Sequence, residues 1–360
     1  MSAIEHHFPH DYREARHAFI AAAEANDLGV TSRLHPTETG ADGKPLFLDT
    51  TTIGERDAKT ALLLISGTHG VEGYFGSGVQ TGLLREGLAQ RAAKGTKIVL
   101  LHALNPFGFS WDRRVNEDNA DINRNFADFS NPPRNAAYDE LADAIALPDL
   151  SRDTMKAANA RLRAYSDRHG AFKLQEAISA GQYHHPDGIY FGGERESWSH
   201  KMLQDVFREE LKGVKKLVAI DFHTGLGESG AAEMITEDLP GSAAYSRARA
   251  IWGDTLQSSE AGESISPPLQ GTVDKAVAHW MRGKELTFAA LEVGTRSTRD
   301  VFNALRRDNW LHLNAGPNDP EWAAVKREIR DAFFPDTAEW KRSVWDHASK
   351  AVNAALAAIA

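Results

Sequence analysis

Four short apolar runs punctuate the chain, each almost free of polar residues: Ala61–Ser66 (ALLLIS), Lys97–Ala103 (KIVLLHA), Lys216–Phe222 (KLVAIDF) and Leu286–Leu291 (LTFAAL). A strand with one wet face alternates apolar and polar residues. Continuous runs of this length belong to strands covered on both faces, as in a mainly parallel sheet held between helices. Glycine follows each run closely, in GTHGVEG, LNPFG, HTG and EVGT. Each strand is therefore expected to end in a tight turn.

Helical spacing accounts for much of the remainder. Tyr12–Asn26 places apolar residues three and four apart and ends near Gly29, and Tyr74–Arg91 follows the first run. Tyr138–Ala146, Arg152–Asp167 and Trp198–Leu211 form a helical insertion over residues 130–215, around the loop GQYHHPDGIYFGG. Glu321–Phe334 and Ala338–Ala360 read as two amphipathic helices that close the domain over 320–360. The stretch containing Pro36, Gly40 and Gly43 reads as turns. No repeat, low-complexity tract or Ser/Gly linker interrupts the pattern, so residues 1–360 are expected to form one α/β domain. Its architecture should be three-layer α/β/α, with a mixed, mainly parallel central sheet.

Composition then narrows the chemistry. With no cysteine among 360 residues, disulfides, thiolate metal sites and cysteine nucleophiles are excluded, and any metal must be held by His, Asp or Glu. Acidic residues outnumber basic ones by 50 to 41 with no basic block, so nucleic acid is not an expected partner. The N-terminal MSAIEHHFPHDYREARHAF carries acids, histidines and a proline where a secretory signal needs a basic start and an apolar core. The apolar runs fall far short of the ~20 residues that span a bilayer. A cytoplasmic protein with no membrane partner is expected. Gly225–Gly230 fits G-x-G-x-x-G after a strand, but the following AAEMITEDLPG offers neither a helix start nor a ribose-binding acid. A flexible loop is expected there.

The chemically capable residues fall at the strand ends. His69-Gly-Val-Glu72 puts an imidazole and a carboxylate three residues apart in a glycine-bracketed turn after the first run. Catalytic zinc takes three such ligands and keeps a fourth place for water, and His223, just after the third run, offers the third. A second H-x-x-E, His35-Pro-Thr-Glu38, has no strand before it and reads as accidental. Asp221 shares a strand face with His223, either as a structural partner or as the carboxylate that orients a ligating imidazole. Glu292 directly follows the fourth run, where an unpaired acid is costly to bury. It needs either a cation or a role as a base with raised pKa. In Trp111–Phe126 (WDRRVNEDNADINRNF), Arg113, Arg114 and Arg124 lie among asparagines. That is a carboxylate-gripping composition, or else a solvated loop whose arginines pair with Asp112, Glu117, Asp118 and Asp121.

Taken in order, His69-x-x-Glu72, an arginine, Asp121-Ile-Asn123-Arg124-Asn125-Phe126, His223 at one strand end and Glu292 at another resemble the M14 zinc carboxypeptidase superfamily. Within it the chain is similar to the DUF2817, or M14-like, branch, and the motif order covers most of residues 55–300. The resemblance implies a carboxypeptidase-like fold and one Zn2+ held by His69, Glu72 and His223. It implies Glu292 as general base and then acid, Arg114 at the oxyanion, and Asn123 with Arg124 on the substrate's terminal carboxylate. Val273, in Gly271–Asp274 ahead of Leu286–Thr295, is implied to sit in the side-chain pocket and give it an apolar preference.

Two departures qualify the transfer. The segment before Gly271, ESISPPLQ, lacks the tyrosine that well-studied members place there, and the 130–215 insertion lengthens the spacing from Glu72 to His223. Tyr183, His184, His185 and Tyr190 in the insertion are candidate substrate contacts or simple loop packing, and His102, His184 and His185 have no assigned role. The expected activity is amide hydrolysis next to a free carboxylate on a small peptide. The alternative is deacylation of an N-acyl amino acid at the same site, and a non-catalytic binding protein on this scaffold is the remote one.

Overall fold

Alternate side chains of the apolar runs go to opposite faces of one sheet. Leu62 and Leu64 join Ile98, Leu100, Val218 and Ile220 on one side, while Ala61, Leu63 and Ile65 join Val99, Leu101, Leu217 and Ala219 on the other. The structure, a computed structural model, describes residues 3–360, so the first two residues of the N-terminal segment lie outside the described residues. Its eight strands are β1 (Val30–Thr39), β2 (Pro45–Gly54), β3 (Thr60–Ile65), β4 (Thr96–His102), β5 (Lys216–Thr224), β6 (Ala232–Thr236), β7 (Leu256–Ser258) and β8 (Glu285–Val293). They lie in the order β1-β2-β4-β3-β5-β8-β6-β7.

The four runs supply the central strands, and β4, β3, β5 and β8 are mutually parallel. Antiparallel pairs flank them, β1 with β2 and β2 with β4 on one side and β6 with β8 on the other. Helices Tyr12–Glu24, Gly73–Arg85 and Ala338–Ile359 cover one face. Trp198–Glu209 and Val273–Trp280 cover the other, which completes an α/β/α sandwich. Among the described residues no helix is long and apolar enough to cross a membrane.

Three elements differ from the sequence reading. The segment read as turns is the β1–β2 hairpin. Most β1 side chains face water, so the strand has no apolar signature, and Pro36 is tolerated because β1 is an edge where a missing N–H costs nothing. Thr298–Asn314 is a helix whose buried face includes Arg306, Asp308 and Asn309, and those polar residues hide its period. Within 130–215, Ala136–Ile145, Arg152–His169 and Ala171–Ser179 form the insertion proper, the last two parted at Gly170 (φ 93°). Trp198–Glu209 instead packs Leu203 and Val206 beneath the sheet.

Candidate metal centre

The turn after β3 is set by its backbone. Gly70 N–H donates to Arg114 O (3.1 Å) and Val71 N–H to Arg113 O (2.8 Å), so the ligand turn is laced to the arginine segment. A Cβ at Gly70 would lie 2.0 Å from the carbonyl carbon of Gly108, which leaves room only for glycine. His69 and Glu72 flank this contact, and Glu72 leads into helix Gly73–Arg85. His223 lies near the end of β5, in register with Glu292 on β8. Adjacent parallel strands thus bring the third ligand and the acid together.

The side chains converge. His69 Nδ1 is 2.8 Å from Glu72 Oε1, His223 Nδ1 is 3.1 Å from Glu72 Oε2, and the two Nδ1 atoms are 3.2 Å apart. All three residues are buried, and one ligand atom from each lies within 4.8 Å of the others, a grouping that could hold a metal ion. The opposite ring nitrogens face acids. His69 Nε2 is 3.1 Å from Asp121 Oδ1 and 2.8 Å from Arg114 Nη2, and His223 Nε2 is 2.8 Å from Asp221 Oδ2. Asp221 is itself steadied by Thr68 Oγ1, which donates to its carboxylate at 2.8 and 2.9 Å.

This donor set fits a cation. The Nδ1 atoms of both imidazoles face each other and the Glu72 carboxylate, so three donor atoms converge where a cation would replace the protons they otherwise share. Burial opposes ionisation of Glu72, yet the nearby His69 and His223 hold its carboxyl well below the usual range. Burial likewise opposes charge on His223, but Asp221 and Glu72 outweigh it and hold the imidazole well above its ordinary value. Glu292 goes the other way. Burial, then the negative Glu72, push its carboxyl up to about 8, while Leu226 N–H donates to Oε1 at 2.9 Å. Gly225–Gly230 is thus a loop that holds the acid, with a strand rather than a helix after it.

A cavity of about 640 Å³ opens over these groups, lined at this end by His69, Arg114, Asn123, Arg124, His223 and Glu292. Arg114 donates from Nε to Asp121 Oδ2 (2.9 Å) and from Nη1 to Glu72 Oε1 (3.1 Å). Arg124 is 2% exposed, and among the described residues no carboxylate contacts it. Its Nε and Nη2 donate to Ser179 O (3.1 and 2.6 Å) and Nη1 donates to Asn123 O (2.7 Å). A buried guanidinium hydrogen-bonded only to carbonyls, with Asp121 acting on it from beyond contact distance, retains N–H groups and positive charge for an anion in the cavity. Asn123 spends its carbonyl on Val273 N–H (2.9 Å), so its NH2 is the group it can offer.

The family profile that matches this chain is described as a protein of unknown function (DUF2817) and spans residues 8–347. The chain belongs to the DUF2817 family. No curated protein sequence matches this DUF2817 protein. Among solved structures it is similar to a metallo-carboxypeptidase from Burkholderia cenocepacia, at 13% identity over 91% of this chain and 69% of that one, with a TM-score of 0.44. A carboxypeptidase A from Helicoverpa armigera aligns at 12% identity over 90% of this chain and 74% of that one, with a TM-score of 0.46. An aspartoacylase family protein from Mesorhizobium loti aligns at 16% identity over 80% of this chain and 69% of that one, with a TM-score of 0.36.

Not every residue singled out in the sequence reaches the cavity of this DUF2817 protein. Val273 is 1% exposed and packs under the sheet. Thr272 caps the helix starting there, accepting from Lys275 N–H (3.3 Å), and that cap turns Val273 to the core. Its neighbours Thr272 and Asp274 line the cavity together with Glu237, so the wall expected to be apolar is polar at this point. Arg113 leaves the arginine cluster altogether, buried against Asp308 (3.2 Å) and Asn119 (2.9 Å). Tyr183 donates to Arg124 O (2.6 Å), His185 pairs with Asp139 (2.9 Å), and His184 is exposed, so these three serve loop packing or face solvent. His102 Nε2 meets Ser77 Oγ at 2.8 Å, on the first helical face. The sequence offers Asp121 as an arginine partner and as the head of the Asp121–Phe126 motif, and its contact with His69 spans 52 residues that no local spacing connects.

Proposed function

We propose that this DUF2817 protein is a zinc-dependent hydrolase that cleaves an amide bond next to a free carboxylate, in the manner of a metallocarboxypeptidase. The observation that carries this reading is the convergence of His69, Glu72 and His223 beside Glu292, in one cavity with a buried arginine that no carboxylate contacts. Two imidazoles, one carboxylate and buried aspartates behind the imidazoles form the ligand chemistry of a catalytic zinc site. When bound, zinc supplies a Lewis acid that lowers the pKa of water from ~15.7 towards ~7.

The chain's own groups do the rest. Arg124, with Asn123 NH2, binds the substrate carboxylate and so fixes the scissile amide over the ligand cluster. Glu292 takes the proton of the attacking water at its carboxylate and returns it to the leaving nitrogen, a double duty suited to a carboxyl set in register with His223 at the edge of the ligand cluster. Arg114 donates to the oxygen that gains charge as the carbonyl is attacked. A positioned donor of that kind contributes roughly 2.7–4 kcal/mol to the barrier in a comparable oxyanion site.

Leu162, Leu174 and Ile178 of the insertion line the cavity beside Asn159, Arg163 and Gln175, so that wall offers apolar surface for an acyl chain among polar groups. This favours a second substrate reading, an N-acyl amino acid deacylated by the same groups. A panel of blocked dipeptides and N-acyl amino acids, offered to the zinc-reconstituted protein, separates the two by which releases a free amino acid. Release from neither would overturn the hydrolase reading and leave a binding protein on this scaffold.

A further inference from the structure

Tyr190 occupies a backbone conformation that bulky side chains avoid. Its φ is +56°, and among the described residues the other non-glycine positions with positive φ are Asp27, Asp112 and Asn119, of the types that tolerate it. The loop imposes this conformation from both sides. Gln182 N–H donates to Tyr190 O (3.2 Å), Asp121 N–H to Phe191 O (2.7 Å) and Gly192 N–H to Gln182 O (2.8 Å). Glycine or asparagine would meet the same demand with less strain, so the backbone gives no reason for an aromatic residue there.

The side chain gives one. Tyr190 lines the cavity, and its ring lies under two guanidinium groups, 5.1 Å from that of Arg114 and 5.6 Å from that of Arg124. Arg114 reaches the metal ligands and Arg124 is the buried anion binder, so the ring spans the two cationic groups of the site. Its hydroxyl makes no hydrogen bond among the described residues, although Arg114, Arg124, Asp121 and Glu72 all act on it electrostatically. A phenol free to donate between two cations is poised for an anionic oxygen.

We propose that Tyr190 is a substrate-contacting residue: its hydroxyl donates to the substrate carboxylate bound by Arg124, and its ring packs against the guanidinium groups of Arg114 and Arg124. This rests on the reading that the substrate carries a free carboxylate. The local strain is then a feature of the binding site rather than of the fold.

Calorimetric binding to the zinc-reconstituted protein tests it with two probes that contain no scissile amide, 3-phenylpropanoate and the neutral 3-phenylpropan-1-ol. Wild type should prefer the carboxylate. Tyr190→Phe keeps the ring and should weaken the carboxylate by about tenfold, the worth of one hydrogen bond to a charged group, with much less effect on the alcohol. Tyr190→Asn also removes the ring, which packs against the core, and should weaken the carboxylate further while melting lower than Tyr190→Phe. If wild type prefers the carboxylate and Tyr190→Phe binds both probes as wild type does, the role of Tyr190 is refuted and the carboxylate reading stands. If wild type shows no preference, both fall.

Discussion

Replacing Glu292 with glutamine should make the metal-free protein more stable, and only at higher pH. The acid is half-buried beside Glu72, and its pKa rises from 4.5 to about 8 on folding. Between those values the native state binds a proton that the unfolded chain has lost, so this group's contribution to stability falls as pH rises through the window and is constant above it. The full shift corresponds to roughly 5 kcal/mol at 1.36 kcal/mol per pH unit, and because the partly exposed carboxyl lines the open cavity we expect about 2 kcal/mol after screening. Glutamine does not titrate and retains an acceptor for Leu226 N–H. Urea unfolding of the metal-free wild type and Glu292→Gln should therefore agree near pH 4.5 and diverge towards pH 8.5, with the variant ahead. A difference that stays constant across that range, or one that favours wild type at high pH, would refute the account of Glu292.

Other perturbations separate the roles of neighbouring groups. Asp221→Asn removes the acid behind His223 Nε2 and should lower zinc affinity by about 10–100-fold, read by competition with a chelating dye; unchanged affinity would make Asp221 structural only. Arg124→Gln should raise KM by more than about tenfold for carboxylate substrates, with little change in kcat, since a charge-assisted hydrogen bond is lost from substrate and transition state alike. Val273→Ala should cost about 2 kcal/mol in chemical denaturation and leave kcat/KM unchanged, because the side chain packs under the sheet rather than in the cavity.

Much of this arrangement was legible in the sequence, for a physical reason. Strands buried on both faces must be apolar throughout, so β3, β4, β5 and β8 stood out, and a parallel sheet gathers ligands at the carboxyl ends of its strands, where His69, Glu72, His223 and Glu292 lie. β1 escaped notice because its side chains are solvated, and Thr298–Asn314 because Arg306 and Asp308 are buried on the face expected to be apolar. In the site, Asp121 could not be matched to His69, nor Arg113 to Asp308, since both pairings depend on how distant segments dock. Val273 was misplaced by a single helix cap at Thr272.

Metal content measured by mass spectrometry after zinc reconstitution and exhaustive dialysis tests the central claim most directly. The account predicts one zinc per chain in wild type and in Glu292→Gln, and none in His69→Ala, whose fold should persist because His69 lies in a turn fixed by backbone hydrogen bonds. A wild type that retains no zinc, or a His69→Ala variant that retains as much, would contradict it.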